Sequence, residues 1–434
     1  MRALSLPSKT SWQLTNCRFY DNQFIVNADN AGYVNISSCV FERNQNRMML
    51  SQVQLLDFVD SQFSGNSHHL YVSFSSSPAV LFIKRSTFVD GSVYMIASQN
   101  AYLSASIEDC LFNSGRLVIY SVTAHIIKRS RFVDSSVDIS SLRNRRNAHL
   151  STSVEDCLFN SSTLVVSGYH RTLIWSIVVA NSTFHSSRFR VYSTSVVTHG
   201  LNVSIVGCSF RRMVSQDIVE LHAPSLQTVV IADNIFEENT RASCIKVDVP
   251  GVSSDVTPGS INIVGNSFTN HSGASVIVIN DRAYYYYHDV QMRRNVFQNP
   301  LCPFEIEVQS LWRSGYAINS SENWWGSTNH TYIAERVSDV FVDSEKAKVS
   351  IASVYSDPEM TQLEAFLDAR AWNVTERKVV GGELDRDVTL PSSNIPYLVN
   401  KTIYIPEGFQ LHLKENVTLH FAQKRGIVVE GMYV

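Results

Sequence analysis

The chain has 434 residues, 44% of them hydrophobic and 17% charged, and a formal net charge of −3. That length allows a large core or several domains, and near-neutrality argues against a surface built for nucleic acid or an anionic membrane. The apolar run from Thr172 to Ala180 fits a strand and falls well short of the ~20 residues a membrane helix needs.

The opening residues lack the apolar stretch of a signal peptide. Trp12 and Leu14 already occupy strand positions, so the chain is expected to begin inside a repeat and to be a piece of something longer. From there a phrase returns, apolar-x-apolar-x-x-(Cys/Ser/Asn)-x-aromatic. It closes on Phe19, Phe41, Phe63, Phe88, Phe112, Phe132, Phe159, Phe184, Phe210, Phe236, Phe268, Phe297 and Trp325, at intervals of 20 to 32 residues. A fixed period of this size marks a solenoid. Two positions before each aromatic stand Cys17, Cys39, Ser61, Ser86, Cys110, Ser130, Cys157, Ser182, Cys208, Asn234, Asn266, Asn295 and Asn323. These form one structural ladder of small polar or thiol residues.

Seven and five positions before the aromatic lie apolar pairs such as Val34/Ile36, Leu81/Ile83 and Val203/Ile205, and after it pairs such as Leu117/Ile119 and Phe189/Val191. A spacing of two puts both side chains on one face of a strand. The reading is all-β: a right-handed parallel β-helix of twelve to thirteen coils, ~60 Å long at ~4.8 Å per coil. Residues 81–115 match residues 125–161, so a two-coil unit has been duplicated. Odd and even coils therefore differ chemically.

Three domains follow from the pattern. Residues 1–335 carry the coils. Residues 336–380 read as a linker, with Asp357-Pro358 opening a short helix through Arg370. Residues 381–434 return to alternation, at Ile403/Ile405, Leu411/Leu413 and Val417/Leu419, as the opening coils of a second β-helix cut off at Val434.

The candidate chemistry has bland readings. Seven cysteines without metal-ligand spacing argue against zinc. Adjacent coils are near enough for Cys17 and Cys39 to pair as a disulfide, whereas Cys110, Cys157 and Cys208 lie two coils apart and read as buried small residues. Cys244 and Cys302 receive no assignment. Asp60, Arg85, Asp109, Arg129 and Asp156 alternate in sign from coil to coil, as do Lys84, Glu108, Lys128 and Glu155. Stacking then sets opposite charges side by side at ~0.2–1 kcal/mol per pair. Acid–base hydrolysis instead needs paired carboxylates with room for water, and no convincing pair is present. No catalytic residue, metal or cofactor is expected. His125 reads as a satisfied core residue, Arg143, Arg145 and Arg146 as a solvated loop, and Tyr284, Tyr285, Tyr286 and Tyr287 as a strand-like stretch whose alternation turns two rings inward, a surface for sugar or protein contact being the lesser alternative. Asn35, Asn160, Asn181, Asn202, Asn270, Asn319, Asn329, Asn373, Asn400 and Asn416 begin N-x-Ser/Thr acceptors for N-glycosylation.

Asn323-Trp324-Trp325-Gly326 reads as an end-cap motif over the last coil. Coils, then NWWG, an Asp-bearing linker and YIPEG…LHLKENVTLHFAQKRGIVVEG resemble the repeated extracellular module of the bark beetle family, also called Anakonda. The resemblance covers the whole chain and is most specific at NWWG and the IPEG stretch. It implies a non-catalytic scaffold or adhesion ectodomain of a single-pass membrane protein at tricellular or septate-type junctions. Its partners would be other cell-surface or junction proteins. The competing readings are a carbohydrate-active β-helix enzyme and a non-catalytic glycan-binding module.

Overall fold

The computed structural model describes residues 4–6, 11–22, 26–29, 32–45, 48–66, 70–74, 78–97, 102–121, 124–141, 149–168, 174–193, 200–214, 217–224, 226–241, 243–250, 259–282, 288–310, 316–367 and 370–430. Arg143, Arg145, Arg146 and the four consecutive tyrosines from Tyr284 lie outside them.

One coil shows how the sequence makes the fold. Leu103–Glu108 belongs to the first sheet, Leu111–Asn113 to the second and Arg116–Ser121 to the third. Each strand pairs in parallel with its counterpart one coil on, Ile107 opposite Ile127, Phe112 opposite Phe132 and Leu117 opposite Val137. Repetition gives two sheets of 14 strands and one of 12, a right-handed parallel β-solenoid of about 14 turns.

Bends between sheets are made by single residues in the left-handed region. Three positions before the aromatic these are Asp60, Arg85, Asp109, Arg129 and Asp156 (φ 47–56°), and two positions after it Asp90, Ser114 and Asp134 (φ 47–56°). Non-glycine residues reach this region at a cost, and the hydrogen-bonded ladders beside each bend hold them there. Between the two bends the aromatic points inward. Rings from Phe19 through Phe297 stack with centroids 4.5–5.3 Å apart and planes within 16°. That spacing is the spacing of neighbouring strands.

The stack runs past residue 335, so the expected boundary and coil number are both short. Val337–Ser338 and Lys348–Ser350 each add a final strand, to the third and first sheets respectively. The linker helix also falls elsewhere. The described α-helix is His330–Glu335, capped by Asn329, whose side chain accepts from the amides of Thr331 and Tyr332. No helix starts at Asp357-Pro358: the Asp357 carboxylate accepts from the amides of Thr361 and Gln362, four and five residues on, and so closes a turn. Met360 then turns left-handed (φ 57°), and Leu363–Ala365 pairs antiparallel with Ser353–Tyr355. Strand pairing overrides a local helix signal.

Residues 379–429 form a second parallel arrangement around Val380, Leu384, Leu390, Tyr397, Val399 and Ile403.

Candidate functional site

The ladder residues line the first bend. Each accepts from the amide of the preceding coil: Asn266 Oδ1 from Asn234 N at 3.0 Å, Asn295 Oδ1 from Asn266 N at 3.0 Å, Asn323 Oδ1 from Asn295 N at 2.9 Å. Ser61, Ser86, Ser130 and Ser182 do the same with their hydroxyls, toward the amides of Cys39, Ser61, Cys110 and Cys157. Thiols in the slot donate instead, Cys110 to the carbonyls of Glu108 and Ile83, Cys157 to those of Glu155 and Ile127, Cys208 to those of Val206 and Val179. Burial pushes the thiols of Cys110 and Cys157 up to about 12 and that of Cys208 to about 11, which leaves them protonated and unreactive.

The Cys17–Cys39 disulfide is absent, because all seven cysteines are free. Like its neighbours, the Cys39 thiol is turned to main-chain oxygen, donating to Ser37 at 3.2 Å and Leu14 at 3.5 Å.

A second ladder at the other bend escaped the sequence reading. Asn66 Oδ1 accepts from Asn44 N, Ser162 Oγ from Ser135 N, Ser187 Oγ from Ser162 N, Asn239 Oδ1 from Met213 N and Asn299 Oδ1 from His271 N, at 2.8–3.0 Å. Its occupants follow the aromatic by three positions in most coils. That regularity was the available signal, blurred by Gly115 and Met213 in the same slot.

His125 is buried, but both its ring nitrogens lack partners, contrary to a satisfied core residue. It occupies an otherwise apolar inner column, between Ala105 and Thr152, whose Oγ1 is also unpartnered. Burial lowers the ring to about 4, so it stays neutral. His288 is the opposite case. Its Nδ1 lies 2.9 Å from Asp281 Oδ2 and its Nε2 2.7 Å from the Leu226 carbonyl, so both nitrogens face acceptors, an arrangement that favours the doubly protonated ring. Burial disfavours charge on the ring, but these acceptors outweigh it and raise its pKa.

Several outward carboxylates along the bends are paired, though Asp156 in the same column has no ion pair among the described residues. Asp60 takes a bidentate contact from Arg85 at 2.7 and 2.9 Å, Asp109 the same from Arg129, and Glu155 binds Lys128 at 2.8 Å. No group of three or more His, Cys, Asp or Glu able to hold a metal occurs among the described residues. Cys244 and His271 lie 3.6 Å apart in the core, but burial pushes that thiol well above its ordinary range.

A depression of about 640 Å³ opens on the outer face of the third sheet. It crosses the strands Arg188–Ser193, Val219–His222, Ile245–Val249, Ser275–Asp281 and Phe304–Val308. Arg190, Glu220, Lys246, Val278 and Glu307 form one outward column through it. Arg190 binds Glu220 at 2.6 Å, Lys246 reaches Asp217 at 3.5 Å, and Ser275 Oγ donates to Glu307 at 2.5 Å. Arg188 and Arg241, by contrast, make no ion pair or side-chain hydrogen bond among the described residues. Burial, and then the neighbouring Arg190 charge, lower the Arg188 pKa against the opposing pull of the Glu220 carboxylate. Reading Phe189 and Val191 as inward already implied that Arg188 and Arg190 face out; what collects around them needed coordinates.

The last coil passes directly to the second unit. Trp325 ends the aromatic column, fully buried against Phe297 at 5.1 Å, and Trp324 bridges Val296. Gly326 (φ +73°) brings its backbone against Phe297, where an added Cβ would meet the carbonyl oxygen at 2.9 Å. The motif therefore closes the second sheet while the other two run on. Beyond it, Arg370 Nη1 reaches Asp339 Oδ2 at 2.9 Å, both side chains being buried. Lys348 binds Glu383 at 2.6 Å, Lys424 binds Asp343 at 3.1 Å, and Val340 and Phe341 pack against Tyr404 and Val428.

Of the glycosylation acceptors, Asn181, Asn270, Asn329, Asn373, Asn400 and Asn416 are exposed, while Asn35, Asn160, Asn202 and Asn319 are half-buried.

Fold and site together define a parallel β-helix protein with a second β-structured unit bonded to its C-terminal end. A family model described as a right-handed beta helix region matches residues 2–112. The chain is also similar to Protein bark beetle of Drosophila melanogaster, 23% identical over 304 residues, covering 61% of this chain and 9% of that protein. The chain thus spans less than a tenth of that relative's length. No solved structure matches it.

Proposed function

We propose that this segment is a non-catalytic scaffold in the extracellular part of a cell-surface protein, acting at epithelial cell–cell junctions and presenting its stacked loops to other surface proteins. The carrying observation is the joint between units. A β-helix has free edges only at its ends, and here one end is met by residues 370–430 through the Arg370–Asp339, Lys348–Glu383 and Lys424–Asp343 pairs. A joint of one buried, one half-buried and one largely exposed ion pair around an apolar contact transmits force from one unit to the next, which a hinge does not. Pairing of Asp60, Asp109 and Glu155 with cations on adjacent coils supports the non-catalytic part, because these carboxylates hold neighbouring turns together. Similarity to the bark beetle protein supports the junctional part.

Staining of unpermeabilised epithelium with an antibody against residues 81–161 tests the reading. Signal concentrated at cell borders and vertices is expected; signal only after permeabilisation overturns it. Incubation with oligogalacturonides and other acidic glycans, with and without calcium, is expected to leave them intact, and turnover overturns the non-catalytic part.

A further inference from the structure

The groove on the third sheet carries a ligand class of its own. Two features of it have no structural use. Arg188 is half-buried between Arg190, which disfavours its charge, and Glu220, which favours it but is itself held by Arg190, so the Arg188 guanidinium has no direct ion pair. Arg241, on the neighbouring bend and itself left-handed (φ 71°), extends into the same depression without a partner. Four cations (Arg188, Arg190, Arg241 and Lys246) face three carboxylates (Asp217, Glu220 and Glu307) in the lining, so the depression carries one positive charge in excess on a chain whose net charge is −3.

The rest of the lining narrows the ligand. Asp217 and Glu307, which already accept from Ser243 and Gln309, keep further lone pairs as acceptors beside the cations, Glu220 is held by Arg190, and Ala274 and Val278 give a small apolar floor. A ligand rich in hydroxyls and carrying spaced acid groups satisfies all three. A run of acidic peptide would meet three carboxylates without hydroxyls to offer them. Five neighbouring strands at ~4.8 Å give the groove a length of about 19 Å across the sheet, suited to a linear chain. Its volume lies within the ~300–1,000 Å³ range of ligand pockets.

We propose that this groove binds an acidic oligosaccharide, whose sulfate or carboxylate groups pair with Arg188 and Arg241 and whose hydroxyls donate to Asp217 and Glu307. Binding is independent of the scaffold reading, since neither needs the other.

The test titrates the full chain at low and physiological salt with a heparin-derived hexasaccharide, hexagalacturonate, neutral cellohexaose and hexaglutamate. Saturable binding of at least one acidic glycan is expected, and which of the two binds separates sulfate from uronate. Arg188→Gln and Arg241→Gln are each expected to weaken it about tenfold or more, the usual worth of a charge-assisted hydrogen bond. Arg377→Gln, an exposed arginine on the second unit, is expected to leave affinity unchanged. Unchanged melting curves show that the variants fold. The proposal is overturned if neither acidic glycan binds, if cellohexaose or hexaglutamate binds as tightly, or if Arg377→Gln weakens binding as much as the groove variants.

Discussion

Replacing Arg370 with methionine tests the joint most directly. The guanidinium donates to Asp339 Oδ2 at 2.9 Å and to the Val349 carbonyl at 3.1 Å, and it sits over the Phe341 ring at 4.9 Å. Asp339 also accepts from the amides of Phe341 at 3.1 Å and Val349 at 3.0 Å, so its carboxylate stays in place when the arginine goes. Methionine keeps most of the stem and removes the charge, leaving a buried anion without a counter-ion. Losing one partner of a buried pair costs about 3–5 kcal/mol. In Arg370→Met/Asp339→Asn no charge remains, and the asparagine oxygen still accepts a backbone amide. The double variant is therefore expected to lose only about 1–2 kcal/mol, less than Arg370→Met alone. Urea denaturation followed by tryptophan fluorescence reads this, because Trp372 packs on the second unit's core two residues from Arg370. A double variant equal to the sum of the singles within about 0.5 kcal/mol would show the two residues to be uncoupled and the joint not to depend on them.

Asn266→Ala is expected to destabilise by about 3–4 kcal/mol, because it strips Asn234 N of its acceptor and leaves the Ile231 carbonyl without its side-chain donor. Ser86→Ala, removing one donor and one acceptor at longer range, should cost about half as much, and equal losses by chemical denaturation would refute the ladder argument. Lowering pH from about 6.5 to 4 should cost about 3 kcal/mol through His125, whose depressed folded pKa lets the unfolded chain take the proton first. His125→Leu should abolish that acid limb and add roughly 1 kcal/mol at pH 7; an unaltered limb in pH-dependent melting refutes the assignment. His288 acts with opposite sign, since its raised folded pKa gives stability that is complete below about 6.5 and lost as pH climbs through the folded value. His288→Asn should flatten that alkaline limb, and a retained limb would point elsewhere. Chain secreted from animal cells should carry glycans on exposed Asn181, Asn373 and Asn400 before half-buried Asn35 and Asn319, as read by peptide mass spectrometry; the reverse order would contradict the faces assigned to these strands.

The inner columns were legible because side-chain alternation has period two and the aromatic sets its phase. Ile83, Ile107 and Ile127 could be placed above one another before any coordinate was known, and they do stand in register. The charge columns were legible for the same reason, since Arg85 and Asp60 differ by one coil and share a slot. Three features were not legible. Cys17 and Cys39 share a slot, but the direction of a thiol depends on which carbonyls lie beside it, and the bend supplies two for Cys39. The linker carried a helix-start signal at Asp357-Pro358, yet pairing of Leu363–Ala365 with Ser353–Tyr355 outweighed it, and only tertiary contact reveals that. The groove gathers Arg188, Asp217, Arg241 and Ser275 from successive coils of unequal loop length, and sequence spacing gives no distance between them.

The same asymmetry explains how a uniform repeat can carry a specific surface. Inward positions are constrained from above and below, so a change such as His125 in an apolar column is expensive and rare. Outward positions on the third sheet meet only one neighbour on each side and solvent beyond, so Arg190, Glu220, Lys246, Val278 and Glu307 can follow one another in a single column. Where such a column leaves cations unanswered, as at Arg188 and Arg241, packing of the stack gives no reason for them. The acidic ligand proposed above would give these two side chains a direct partner, which no carboxylate of the stack does.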